Sequence, residues 1–142
     1  MTTLLFPAAD RGTADYGWLK PNYYFSFAQY HDHTKVHFGL LRVLNDDFIG
    51  GGGAFPTHPH DNMEIVTIPF TGALKHKDST GGEGIIQAGD IQIMSAGTGV
   101  QHSEANASAT VLIIRWRSSG CNLFLHSVSS GTGSASVNPY NC

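Results

Sequence analysis

The sequence predicts an all-β protein, folded as a β-barrel or jelly roll. Only 13% of its 142 residues are charged, 17 are glycines, and short apolar runs of strand length alternate with turn signals. No stretch shows a sustained apolar repeat of about 3.6 residues with helix caps. The predicted strands are residues 23–27, 38–44, 63–70, 84–87, 91–94 and 110–116.

The turns between these strands are indicated by clusters of Gly, Asn, Asp and Ser, which favour tight backbone bends. They read NDD at 45–47, GGGG at 50–53, DSTGGEG at 78–84 and AGTG at 96–99. After Trp116 the composition shifts to Ser, Gly and Asn, with one short apolar stretch at 123–125. We therefore expect a domain over 1–116 and an atypical tail over 117–142, either flexible or adding one edge strand.

Charge and cysteine content exclude several classes of function. The formal net charge is −3 and no cluster of Lys and Arg occurs, which argues against direct nucleic-acid binding. Cys121 and Cys142 are too few for a disulfide framework or a cysteine metal site. Neither a signal peptide nor an apolar run of about 18 residues is present, so we expect a cytoplasmic protein without a membrane span.

Two short motifs suggest a metal site. In a strand, residues two apart point to the same face, so the side chains of His58 and His60 in THPHDNMEI would lie side by side, with Pro59 opposite. GVQHSEAN repeats this spacing with His102 and Glu104. Three imidazoles and one carboxylate on neighbouring strands suit Fe, Mn, Co, Ni, Cu or Zn.

The pattern leaves alternatives open. The four residues could instead be hydrogen-bonded polar side chains without a metal, although four such groups are costly to bury unpaired. Glu64 is an alternative to Glu104 as the carboxylate ligand. It follows His60 by four residues, an even offset that would keep both side chains on one face of a strand.

The remaining histidines carry weaker signals. His31, His33 and His37 in YHDHTKVH could hold a second metal, but a solvated loop is the simpler interpretation. We expect His76 at the end of a hairpin, and we assign no role to His126.

The two motifs resemble those of the cupin superfamily. GGAFPTHPHDNMEIVTIPFTG is similar to the first cupin motif, whose places are filled by Gly52, His58, His60, Glu64 and Gly72. GDIQIMSAGTGVQHSEAN is similar to the second motif, with matches at Gly89, Gly97, His102 and Asn106 and with Ser95 where many cupins carry Pro. Together with RGTADYGWL, YYFSFAQY and FGLLRVLNDDFI, they resemble the pirin family over about residues 10–116, and its bacterial quercetinase-like members in particular.

The resemblance implies a cupin barrel that binds one divalent metal, usually iron. Its ligands would be His58, His60, His102 and Glu104, and it places Glu64 outside the ligand set. Some pirins open the flavonol quercetin with dioxygen, whereas the animal members are nuclear transcription cofactors. Pirins carry a second barrel packed on the first, and without it we expect the tail or a second copy of the chain to cover the exposed face.

The leading hypothesis is a dioxygenase acting on a flavonol or a related aromatic. Glu104 would take the proton of the substrate's acidic hydroxyl as general base. Phe25, Phe27 and Phe55 could line the pocket, although core packing is the usual role of such residues. The alternative is a non-catalytic metal-binding cupin that engages a protein partner or senses redox state.

Overall fold

The computed structural model describes residues 5–109 and the backbone of residues 114–121, and nearly all regular structure there is β-strand. After a short 3₁₀ turn at Ala8–Asp10, the strands are β1 (Gly12–Thr13), β2 (Leu19–Tyr23), β3 (Leu41–Ile49), β4 (Ala54–His60), β5 (Glu64–Pro69), β6 (Ala73–Asp78), β7 (Glu83–Gln87), β8 (Gln92–Ser95), β9 (Val100–Asn106) and β10 (Ile114–Cys121). The predicted all-β fold class is confirmed. In the described part of the chain, no helix is long and apolar enough to cross a membrane.

The strands form two antiparallel sheets. One sheet has the order β1-β2-β3-β10-β5-β8, and the other has the order β4-β9-β6-β7. Hydrogen bonds do not close the two sheets into one barrel within the described residues, so the architecture is that of a jelly roll. Because β4 and β9 are neighbours, the two histidine motifs lie side by side in one sheet.

The structure differs from the predicted strands and turns in several details, two of which matter for the site. The NDD stretch at 45–47 is not a turn but the middle of β3, where it pairs with β2 and β10. Residues 24–27, predicted as strand, follow the end of β2 at Tyr23. The first error arises because burial and pairing with distant strands override the local turn preference of Asn and Asp.

The last described strand extends beyond Trp116, the residue after which the amino-acid composition changes. β10 continues to Cys121 and lies between β3 and β5, in the interior of its sheet rather than at an edge. The division into 1–116 and 117–142 stays a prediction, and residues 122–142 lie outside the described residues.

A small apolar core joins the two sheets. Leu19 and Ile49 come from one sheet and Leu74 from the other, and Phe55 packs against them. Ile49 and Leu74 are fully buried. This contact holds β3 against the sheet that carries the histidines.

Shortening Ile49 tests how tightly this core is packed. We expect Ile49→Val to lower the free energy of unfolding by about 0.5–1.5 kcal/mol, because it leaves a methyl-sized gap in a filled space. Ile85→Val is the matched control, since Ile85 is 60% exposed and the same change should cost less than about 0.5 kcal/mol. Denaturant unfolding measures both values, and equal losses would contradict the assignment of the core.

Candidate metal centre

Three histidines converge between β4 and β9. The register pairs His58 directly with His102, and His60 lies on β4 two residues further along. The Nε2 atom of His102 is 2.9 Å from that of His58 and 3.0 Å from that of His60. The strand period therefore brings together three of the four residues that the sequence singled out.

These nitrogen spacings fit a metal ion. Two imidazole ligands about 2.1 Å from a metal and at right angles to each other would have nitrogens about 3.0 Å apart. A hydrogen bond also fixes the His58 ring, because its Nδ1 lies 2.8 Å from the carbonyl oxygen of Pro56, which can only accept. Nδ1 of His58 is therefore the donor, and in the neutral ring Nε2 presents its lone pair to the site.

The electrostatics favour the neutral form of the His60 and His102 rings. Burial, together with His58 and the other nearby histidines, lowers the pKa of His102 to about 3. The pKa of His60 is also lowered, first by burial and then by His58. Neutral imidazoles have the free lone pairs that metal coordination requires.

Glu104 lies two residues after His102 on β9, on the same buried face of the strand. Only 3% exposed, it accepts a hydrogen bond from Thr67 Oγ1 at 3.2 Å. Its carboxylate forms a second group with His76 and His102, in which the ligand atoms lie within 4.8 Å of one another, as do those of His58, His60 and His102. His102 is thus common to both groups, and burial raises the pKa of Glu104 to about 8.

His76 is a site residue that the sequence reasoning missed. Instead of ending a hairpin, it lies within β6, pairs across from Glu104 and is 3% exposed. Its Nε2 is 2.9 Å from Asp78 Oδ2. The signal was present in LKHKD, where Leu74 and His76 alternate with the exposed Lys75 and Lys77 as in a half-buried strand.

The other candidates lie elsewhere. Glu64 begins β5 in the opposite sheet, after a turn in which Asn62 has φ +49°, and it accepts a hydrogen bond from Ser95. The even offset from His60 therefore has no meaning, because the two residues are not on one strand. His31, His33 and His37 are exposed, and within the described residues none belongs to a metal-competent group.

A cavity of about 400 Å³ lies between the sheets and reaches the histidines. Its volume falls within the usual range for small-molecule sites. Of the three phenylalanines considered above, Phe27 and Phe55 line it, whereas Phe25 is buried and packs on Phe6. The wall is mostly apolar and also includes Tyr23, Asn45, Asp47, His58, His60, His102 and Glu104.

The buried carboxyl groups predict the pH dependence of the metal-free protein. Glu104 has a pKa of about 8 and Asp47 one of about 7, both raised first by burial. The folded state therefore binds more protons than the unfolded state, and this contribution to stability is lost as the pH rises from about 4 through 8. The contribution of His102 to stability has the opposite pH dependence, because its pKa is lowered to about 3 and stability is therefore gained as the pH rises. This gain is complete above about pH 6.5.

We therefore expect the chelated protein to become less stable between about pH 6.5 and 8. The slope is at most about 1.4 kcal/mol per pH unit for each proton. Denaturant unfolding at both pH values measures it, and Glu104→Gln should make the slope shallower by removing one of the two carboxyl groups. A wild-type stability that is constant or rises over this interval would contradict the protonated state of these groups.

Comparison with known proteins places the chain in a family. A family model described as Pirin matches residues 7–116. A protein of Zymomonas mobilis named putative quercetin 2,3-dioxygenase is 51% identical over 104 residues, which cover 73% of this chain and 44% of that protein. The Escherichia coli protein named quercetin 2,3-dioxygenase is 50% identical over 103 residues, which cover 72% of this chain and 45% of that protein. The chain thus spans a little under half the length of these curated relatives.

Solved structures agree with this result. The crystal structure of YhhW from Escherichia coli has a TM-score of 0.78 at 45% identity, covering 82% of this chain and 49% of that one. YhhW in complex with nickel(II) has the same TM-score at 42% identity, and the match covers 86% of this chain and 52% of that one. KdgF from Halomonas, with 12% identity and a TM-score of 0.59 over 84% of this chain and 94% of that one, supports the fold alone. The predicted cupin fold is confirmed, and the chain belongs to the pirin family.

Proposed function

We propose that this chain is a metal-dependent dioxygenase that opens quercetin or a related flavonol with dioxygen. The observation that carries the proposal is one cavity that is apolar over most of its wall and has three histidines and a buried glutamate at one side. Such a cavity suits a flat aromatic molecule with an acidic hydroxyl group. The names of the curated relatives support the same reaction.

His58, His60, His102 and Glu104 are the proposed ligands of one divalent transition metal. The three nitrogens fit directly, and Glu104 lies within reach of His102. Iron(II) is our first choice, and nickel, cobalt, manganese, copper and zinc suit the same donors. The cation would act as a Lewis acid that stabilises the anion of the substrate's hydroxyl group.

Glu104 is the proposed general base. In the metal-free chain, burial raises the pKa of Glu104 to about 8, so this carboxyl group can hold a proton near neutral pH, as a general base must after proton transfer. Thr67 holds one carboxylate oxygen by its hydrogen bond, which leaves the other free of that contact. The buried position of Glu104 also keeps bulk water away from the proton being transferred.

The apolar walls would orient the substrate. Phe27, Phe55 and Ile65 line the cavity together with Met63 and Leu19, and they offer contact surface to aromatic rings without competing for the metal. Of these, Leu19 and Phe55 also belong to the core contact between the sheets, so the cavity wall is held firmly.

A homodimer and a cytoplasmic location remain predictions from the sequence. Ile93 lies in the edge strand β8, and Ile91 comes directly before it. Each is 61% exposed, and together they give apolar surface that a second copy of the chain could cover. Sedimentation velocity of the whole chain should therefore give the mass of a dimer. A monomer at every concentration tested would rule out this assembly.

Oxygen consumption with quercetin tests the proposed reaction. We expect the protein, loaded in turn with each candidate metal, to consume dioxygen only when the flavonol is present and at least one metal is bound. The chelated protein is the control for metal dependence. If no metal-loaded form consumes dioxygen with any flavonol, the dioxygenase proposal is wrong and a non-catalytic metal-binding module becomes the leading function.

A further inference from the structure

The cavity has a second polar region, on the sheet opposite the histidines. Asn45 and Asp47 are two residues apart on β3, share one face of the strand and line the cavity. They are only 5% and 3% exposed. Asp46, between them, points away and pairs with Arg11 at 2.7 Å.

Each of these two side chains has a buried oxygen without a partner. Among the described residues, neither Asn45 Oδ1 nor Asp47 Oδ1 has a hydrogen-bond partner. A buried polar atom in this state typically costs about 1–3 kcal/mol, so such atoms are rare in folded proteins and call for a reason. A bound ligand that donates hydrogen bonds is one such reason, because the atoms are satisfied only in the complex.

The position of this pair suits a ligand that also reaches the histidines. β3 belongs to one sheet, whereas β4 and β9 belong to the other, and the cavity lies between them. Packed sheets are about 10 Å apart, a gap that a planar fused-ring molecule can span. The side chains of Val43 and Tyr23 flank the pair, so the surroundings of the two oxygens are largely apolar.

We propose that Asn45 and Asp47 form a recognition site for hydroxyl groups on the substrate's aromatic rings, separate from the hydroxyl group that faces the histidines. The preferred ligands are then aromatic compounds with several hydroxyl groups, rather than every aromatic compound that has one acidic hydroxyl group. This inference rests on the proposed function and adds the residues that decide which flavonol is preferred.

The chemistry of the two side chains agrees with this role. An amide and a carboxyl group both accept hydrogen bonds from phenolic hydroxyls. Burial, with Asp46 nearby, raises the pKa of Asp47 to about 7, so a protonated form that also donates is accessible near neutral pH. The backbone N–H of Asn22 donates to the Asp47 carboxylate, which holds the group in place while Oδ1 faces no protein partner in the described part of the chain.

The test compares the binding of two flavonols to the whole metal-loaded chain in the absence of dioxygen. Quercetin carries several ring hydroxyls, and 3-hydroxyflavone lacks all of them except the acidic one. We expect Asn45→Leu and Asp47→Leu each to reduce the ratio of quercetin affinity to 3-hydroxyflavone affinity by about threefold to tenfold, the value of one hydrogen bond. Asp47→Asn keeps a carbonyl oxygen and should change the ratio by less than about twofold.

Val43→Ala is the matched control, because Val43 lines the same wall without a polar side-chain atom. It should change both affinities alike and leave the ratio as in the wild type. An unchanged ratio in Asn45→Leu, or a wild type that binds neither flavonol, overturns the inference. If the ratio falls as expected but no dioxygen is consumed in the earlier test, the recognition site stands and only the dioxygenase proposal fails.

Discussion

Replacing His58 and His60 together by alanine is expected to abolish stoichiometric metal binding. The double substitution removes both of the ring nitrogens that lie within 3.0 Å of His102 Nε2, and alanine offers no ligand atom. Removing one residue that only hydrogen-bonds to a metal ligand already costs about 10- to 100-fold in metal affinity. Removing two ligands themselves should therefore cost considerably more. Elemental analysis after purification and titration with nickel(II) measure the result.

The chain contains its own control for this experiment. His31 and His33 have the same His-x-His spacing but lie in an exposed loop outside any metal-competent group of the described residues. His31→Ala with His33→Ala should therefore keep one metal per chain. Retention of stoichiometric metal by the His58 and His60 double variant would show that these residues are not ligands, provided that its circular dichroism spectrum matches that of the wild type.

The histidine cluster was predictable from the sequence because it depends on a local rule. Residues two apart on a strand face the same way, and both His-x-His and His-x-Glu follow that rule on neighbouring strands. The structure pairs His58 with His102 directly, so the two motifs meet across neighbouring strands. Fold class could also be predicted, since turn residues and short apolar runs recur along most of the chain.

The features that could not be predicted depend on contacts between distant segments. Asn45, Asp46 and Asp47 have strong turn preferences, yet the pairing of β3 with β2 and β10 makes them strand residues with less than 6% exposure. His76 comes next to Glu104 only because β6 pairs with β9. Glu64 leaves the ligand face because the chain changes sheets after His60, which no spacing rule indicates.

The largest effect on turnover is expected from Glu104→Gln. Glutamine keeps the shape of the side chain and an oxygen that can accept the hydrogen bond from Thr67, but it cannot take up the substrate's proton. General-base assistance is typically worth about 10²–10⁴ in rate, so kcat for flavonol-dependent oxygen consumption should fall at least about 100-fold. The metal content of the variant is measured in parallel, because the rate must be compared at equal occupancy.

Glu64→Gln is the matched control for this substitution. Glu64 undergoes the same chemical change, but it lies on β5 in the opposite sheet and contacts Ser95, away from the histidines. It should retain the metal and most of the activity. The pH profile separates a base from a structural residue, because the rate of the wild type should rise as Glu104 loses its proton, and this rise should be absent from Glu104→Gln. If Glu104→Gln keeps both the wild-type rate and the wild-type profile at full metal occupancy, Glu104 is not the base and another group of the cavity must accept the proton.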